Sequence, residues 1–177
     1  VYAVDVNGDG DMDVLSASAT DDKIAWYEND GSESFTAHTI TTSADGAETV
    51  YAVDVDGDGD MDVLSASYGD DKIAWYENNG SQSFTAHTIT TDADGAYSVY
   101  AVDVDGDGDM DVLSASIIDY KIAWYENSGL SCDSGFIEIE GECYWEQDIQ
   151  FLKDLIANSD LTIEPLDLGD QNWTNGR

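Results

Sequence analysis

The chain has 177 residues, room for one ordinary domain or a domain with an appendage. Thirty-nine Asp and Glu against five Lys and Arg give a formal charge of -34, which excludes nucleic acid and a bare anionic membrane surface as partners, because no basic patch exists to meet a polyanion. A hydrophobic fraction of 42% with 11% aromatics excludes a disordered acidic tail, and no apolar run approaches the ~18 residues of a membrane span.

The first element is "VYAVDV", an alternating strand that opens the chain without Met or a signal-like segment, as in a mature product or a fragment. An Asp/Gly loop follows, then three further strands: "MDVLSAS", small and β-branched; "KIAWYEN", alternating; and "SFTAHTITT", rich in Thr. The intervening stretches, "YGDD" in the second copy and "NNGSQ" or "NDGSE", are turn material. Tyr2, Tyr51 and Tyr100 begin three copies of this unit, 49 residues apart. Such a period marks a repeat architecture. Over Tyr51 to Asn78, the first copy differs only at Asn7, Ala19 and Thr20 and the third only at Ile117, Ile118 and Tyr120.

Four short strands per repeat with no helical segment predict three four-stranded antiparallel repeats of an all-β fold. Sheets of this size repeat radially in β-propellers, which carry four to eight blades. A linear β-solenoid is the second reading, disfavoured because its repeats are normally shorter.

The repeat array stops at about Gly129, giving a boundary between 1–129 and a small appendage at 130–177. "GFIEIEGECYW" reads as a hairpin, and its "FIEI" as a stand-in for the missing fourth strand. Cys132 and Cys143 fit one local disulfide in an oxidising compartment, with two free buried thiols as the alternative. From Trp145 to Ala157, Ile149, Leu152, Leu155 and Ile156 fall at helical spacing and predict the one helix. The closing "PLDLGDQNWTNGR" vaguely resembles the entry to a leucine-rich repeat, as the start of a further module. Asn79 and Asn172 head formal N-glycosylation sequons.

The chemistry lies in the Asp/Gly loop, spaced D-x-[DN]-x-D-G-x-x-D. Its carboxylates and amide are Asp5, Asn7, Asp9 and Asp13, then Asp54, Asp56, Asp58 and Asp62, then Asp103, Asp105, Asp107 and Asp111. Alternate residues place oxygens around one concavity, which suits a hard cation wanting six to eight of them. Gly10, Gly59 and Gly108 hold the sixth position, where the chain turns sharply and a Cβ would be in the way. At the seventh, the backbone carbonyls of Asp11, Asp60 and Asp109 complete the ring with their side chains turned outward. The ninth-position Asp supplies the closing carboxylate. An EF-hand is excluded, because position twelve is Ser16, Ser65 or Ser114 instead of Glu and the flanks are strands.

This loop, the "DVDGDGDMDVL" wording and the repeat length resemble the FG-GAP/VCBS repeat family, over residues 1 to 129. The resemblance implies integrin-α-like propeller blades, seven in a ring, with calcium in the loops between first and second strands. Three units are too few for such a ring, so further blades upstream, or association of chains that covers open blade edges, is expected. Asn7 lacks one charge and weakens the first site.

Trp26, Trp75 and Trp124, each followed by Tyr, read as packing between blades in preference to a sugar-stacking platform. His38 and His87, one per blade, read as polar packing and not a metal pair or catalytic base. No nucleophile elbow, phosphate loop or zinc signature occurs, and the candidate acids are committed to the loops. The expectation is therefore a non-enzymatic, secreted or cell-surface, calcium-binding scaffold holding about three ions. Its partners are other proteins or cell-surface glycans, without membrane insertion. The alternatives are a carbohydrate-binding lectin and a self-assembling surface protein.

Overall fold

The computed structural model of the chain describes residues 1–128 and the backbone of two further strands, Phe136–Ile139 and Glu142–Trp145. Within 1–128 the strands fall in repeat order: β1 (Tyr2–Val4), β2 (Asp13–Ser18), β3 (Lys23–Asn29), β4 (Phe35–Thr41), β5 (Ala47–Val53), β6 (Asp62–Ser67), β7 (Lys72–Asn78), β8 (Phe84–Thr90), β9 (Ala96–Val102), β10 (Asp111–Ser116) and β11 (Lys121–Tyr125). They form antiparallel meanders, β1-β2-β3-β4, β5-β6-β7-β8 and β9-β10-β11. The all-β expectation holds, with two four-stranded sheets and a third of three strands. The third copy lacks the "SFTAHTITT" wording, and without those Thr and apolar residues no fourth strand follows β11 among the described residues.

The register repeats with the sequence. Leu15 faces Trp26 and Leu64 faces Trp75 across the second and third strands, and Trp26 faces His38 as Trp75 faces His87 across the third and fourth. A bulge recurs between Ile24 and Ala25 and between Ile73 and Ala74, bending each outer hairpin at the same place.

The sheets pack face to face as propeller-like blades that do not close a ring. One face of the first sheet, with Leu15, Ile24 and Trp26, meets Val50, Ala52, Val63 and Tyr76 of the second. The other face of the second sheet, with Leu64, Ile73 and Trp75, meets Val99, Ala101, Val112 and Tyr125 of the third. The two interfaces use the same repeat positions. Because it is covered on both sides, β6 is buried along its whole length. Along one edge the first strands stand side by side, and Tyr2, Tyr51 and Tyr100 form a ladder with ring centroids 4.9 and 4.8 Å apart.

Linkers between sheets are fastened at both ends. Asp22 Oδ1 accepts the Gly46 N–H at 3.1 Å and Asp71 Oδ1 accepts that of Gly95 at 2.8 Å. Asp22 and Asp71 reach these bonds from left-handed backbone, at φ 55 and 54°, which Asp tolerates better than most residues. The far side of each linker receives the Tyr68 and Ile117 N–H groups on the carbonyls of Gly46 and Gly95.

The chain divides into two compact units, Val1–Gly129 and Leu130–Arg177. In the second, β12 (Phe136–Ile139) and β13 (Glu142–Trp145) pair antiparallel, Phe136 opposite Trp145 and Ile139 opposite Glu142. The hairpin is as expected, with "FIEI" paired to "ECYW" in a two-stranded sheet. Trp145 ends β13; the helix expected to start there, Cys132 and the side chain of Cys143 lie outside the described residues.

Candidate metal centre in the Asp/Gly loops

Each loop joins the first strand of a sheet to its second, so the pairing of those strands fixes where it begins and ends. At its mouth the first-position Asp folds the chain around itself. Asp54 Oδ1 accepts the Gly57 N–H at 2.8 Å and Oδ2 accepts that of Gly59 at 2.9 Å. Asp5 binds Gly8 and Gly10 in the same way, and Asp103 binds Gly106 and Gly108. Asp56 and Asp58 each accept the N–H two residues on, at 3.2 and 2.8 Å, as Asx turns. The chain therefore coils with its acid side chains gathered on the inside.

Gly10, Gly59 and Gly108 have φ of 95, 96 and 104°, beyond the left-handed region open to most side chains. A Cβ at any of them would meet nothing within 4 Å. The sharp turn expected at this position is seen in these dihedrals, which glycine adopts without strain.

In the second loop Asp54, Asp56 and Asp58 bring one oxygen each within 4.8 Å of one another. Burial, followed by the charges of Asp58, Asp54 and Glu77, pushes the Asp56 carboxyl up against the opposing effect of the Asp58 N–H. A cleft of about 160 Å³ lined by Val55, Asp56, Trp75 and Asn127 adjoins it. In the third loop the convergent set is Asp103, Asp105 and Asp111. The first loop substitutes an amide: Asn7 donates through Nδ2 to Asp9 Oδ2 at 3.0 Å. It therefore holds an internal donor where the second loop holds a third carboxylate.

The ninth-position acids have a second occupation. Asp62 is fully buried, its Oδ2 accepting the Val55 N–H at 3.0 Å and its Oδ1 the Asn78 N–H at 2.7 Å. Asp13 holds Val6 and Asn29, and Asp111 holds Val104 and Asn127, at 2.8 to 2.9 Å. Each thus bolts the loop exit to the end of the third strand. Burial pushes Asp62 up to about 6, whereas the Asn127 and Val104 N–H groups hold Asp111 below the usual carboxylate range. The side chains of Asp11 and Asp60 lie over Gly31 and Gly80 in the next turn, and burial together with the charges of Asp107, Asp103, Asp105 and Asp111 pushes the Asp109 carboxyl up.

Sequence reasoning missed the Asn that closes each "KIAWYEN". Asn78 is buried and donates through Nδ2 to the Met61 carbonyl at 3.1 Å, as Asn29 does to Met12. Asn127 donates to Val55 of the neighbouring sheet at 2.9 Å. The threefold recurrence of "YEN" was the signal available for it.

The aromatic and histidine positions form a different arrangement. Trp26 and Trp75 stack on His38 and His87 with centroids 4.5 and 4.6 Å apart, and each His Nε2 lies 2.9 or 2.7 Å from a Glu28 or Glu77 oxygen. Trp26 and Tyr76 are buried at the contact between the first and second sheets, whereas Trp75 and Tyr125, both half-buried, line the cleft between the second and third.

The donors of the second and third loops could hold a metal ion, because three carboxylates converge in each. No curated protein matches the chain closely enough to lend it a relative. The FG-GAP-like repeat matches residues 5–65 and again 54–114, each match running from one Asp/Gly loop through the next. With more than half its length matched in two overlapping repeats, the chain belongs to the FG-GAP-like repeat family.

Proposed function

We propose that the chain is a non-enzymatic, extracellular, calcium-binding repeat protein whose Asp/Gly loops are rigidified by calcium and whose blades serve as an adhesion or protein-interaction scaffold. The observation carrying this reading is the convergence of Asp54, Asp56 and Asp58 within 4.8 Å at the mouth of a folded loop. Like charges this close repel, and a divalent ion bound among them converts the repulsion into attraction. Asp54, Asp56 and Asp58 would hold the ion in the second loop and Asp103, Asp105 and Asp111 in the third. Asp5 and Asp9 with the Asn7 carbonyl oxygen would hold it more weakly in the first. Bound calcium would supply charge neutralisation and loop rigidity, not chemistry. Engagement of the acids in loop hydrogen bonds favours a scaffold over an enzyme.

Calcium titration by calorimetry, with thermal unfolding in EDTA and in millimolar calcium, tests the proposal. About three ions should bind, the first-loop site weakest, with a melting temperature that rises with free calcium, because a ligand taken up only by the folded state stabilises it by mass action. Absence of both heat and shift would sink the reading.

A further inference from the structure

Two faces of the three-sheet unit lack the cover that their copies have. The face carrying Ile24 and Trp26 in the first sheet, and Ile73 and Trp75 in the second, is mated to the following sheet. Its copy on the third sheet carries Ile122 and Trp124, which are 82% and 47% exposed, against 0% and 3% for Ile24 and Trp26. The opposite face of the first sheet is also open: Val1 and Phe35 are exposed, and so is Ala3, whereas Val50 and Ala52 at the matching positions of the second sheet are buried. The open surfaces are thus the two halves of a contact that the chain makes twice within itself.

The third copy departs from the others where the next linker would be gripped. Tyr120 stands at the place of Asp22 and Asp71, the carboxylates that fasten the linker to the following sheet. It is 91% exposed and held at φ 55°, a costly backbone for a bulky residue. Ile117 and Ile118 replace Tyr68 and Gly69 beside it and are also exposed. The "TTSADGA" and "TTDADGA" linkers have no counterpart after the third copy. The polar fastening for a covalently attached neighbour has been exchanged for an apolar rim.

We infer that the exposed face of the third sheet binds the exposed face of the first sheet in a second copy of this chain, head to tail. The internal repeat supplies the geometry: Ile122 and Trp124 take the positions of Ile73 and Trp75, and Ala3 and Val14 those of Ala52 and Val63. Tyr100, half exposed at the end of the ring ladder, meets Tyr2 of the second copy as Tyr51 meets Tyr100. A head-to-tail contact joins unlike faces, so it either closes or propagates. Two copies supply six sheets, within the range of closed propellers, and a closed pair leaves neither face bare. The two strongly acidic chains repel at long range, so apolar burial drives the association, and screening by salt strengthens it.

Light scattering and sedimentation of the full chain, in millimolar calcium and moderate salt, test this inference independently of whether the ions bind. The expected species has twice the 19.2 kDa chain mass, with dissociation on dilution and tighter association at higher salt. Trp124→Glu, or Ile122→Glu as a second disruption of the same face, should leave a folded monomer by circular dichroism, because both residues are already exposed. Ala3→Glu should do the same from the other face. Mixed together at tenfold higher concentration, the Ala3→Glu and Trp124→Glu chains should form a one-to-one heterodimer, since each retains the half that the other needs. A strictly monomeric full chain up to ~100 μM would overturn the inference. So would dimerisation unaffected by the substitutions, or a mixture that stays monomeric.

Discussion

The second and third sheets are written in nearly the same residues and have different physical lives. Ile73 is fully buried and Ile122 is 82% exposed; Asp62 is pushed up to about 6 while Asp111 is held low, although each accepts the same pair of backbone N–H groups. Strand pairing and loop coiling are local properties that each copy specifies for itself. The exposure of the sheet faces is a property of what stands beside the copy, whereas the ninth-position acids Asp13, Asp62 and Asp111 are fully buried in all three. The largest effect expected from that difference is in packing. Ile73→Ala should cost about 2 to 5 kcal/mol, the range for emptying a filled core site. Ile122→Ala should change the stability of the monomer by less than about 0.5 kcal/mol. Chemical denaturation at low protein concentration measures both, and equal costs would mean that the third sheet is covered in solution.

Acid sharpens the same contrast. A carboxyl whose folded pKa is raised from 3.8 to about 6 binds its proton more tightly in the native state, so Asp62 adds stability as pH falls through 6 and withdraws it as pH rises. The span corresponds to on the order of 3 kcal/mol. Asp111 acts in the opposite sense: its folded value is lowered, so its contribution is present above 3.8 and is lost as pH falls through the folded value. In EDTA the melting temperature should therefore be higher at pH 5 than at pH 7.5, and fall again well below pH 4. With calcium the first trend should reverse, because protons compete with the ion for its ligands. A calcium-free melting temperature that drops between pH 7.5 and 5 would contradict the burial of Asp62.

How much of this was legible in the sequence follows the same division. The strands, their order and the loop between first and second strands could be read because alternation, turn residues and threefold repetition are local. So could the gathering of Asp54, Asp56 and Asp58, since alternate residues around a glycine turn face one side. The double duty of Asp62 could not be read, because its partners are the N–H groups of Val55 and Asn78, 7 and 16 residues away in sequence, and only the folded meander brings them together. The sharp turn at Gly59 could be read, since a glycine at the sixth position of such a loop marks a backbone that other residues rarely adopt. The missing fourth strand of the third sheet was visible as lost wording, and the hairpin of "FIEI" with "ECYW" as two extended runs around a glycine.

The finest test asks the two ninth-position acids to separate their structural work from their charge. Asp62→Asn and Asp111→Asn are equal in shape, and each leaves one of two backbone N–H groups facing an amide nitrogen instead of an oxygen. At pH 7 without calcium, Asp62→Asn also removes a charge that burial disfavours, and this gain offsets the lost acceptor, holding the net cost within about 1 kcal/mol. Asp111→Asn removes a charge that its donors favour, so nothing compensates and the loss is larger. Calcium should widen the gap, since Asp111 stands in the convergent set of its loop and Asp62 does not. Weaker binding at one site should follow Asp111→Asn and be slight for Asp62→Asn. Melting curves in EDTA and calorimetric titrations of both variants decide it; equal losses in both would show that the second and third loops use their ninth acid alike, and that the different neighbours of the two sheets do not reach the metal centre.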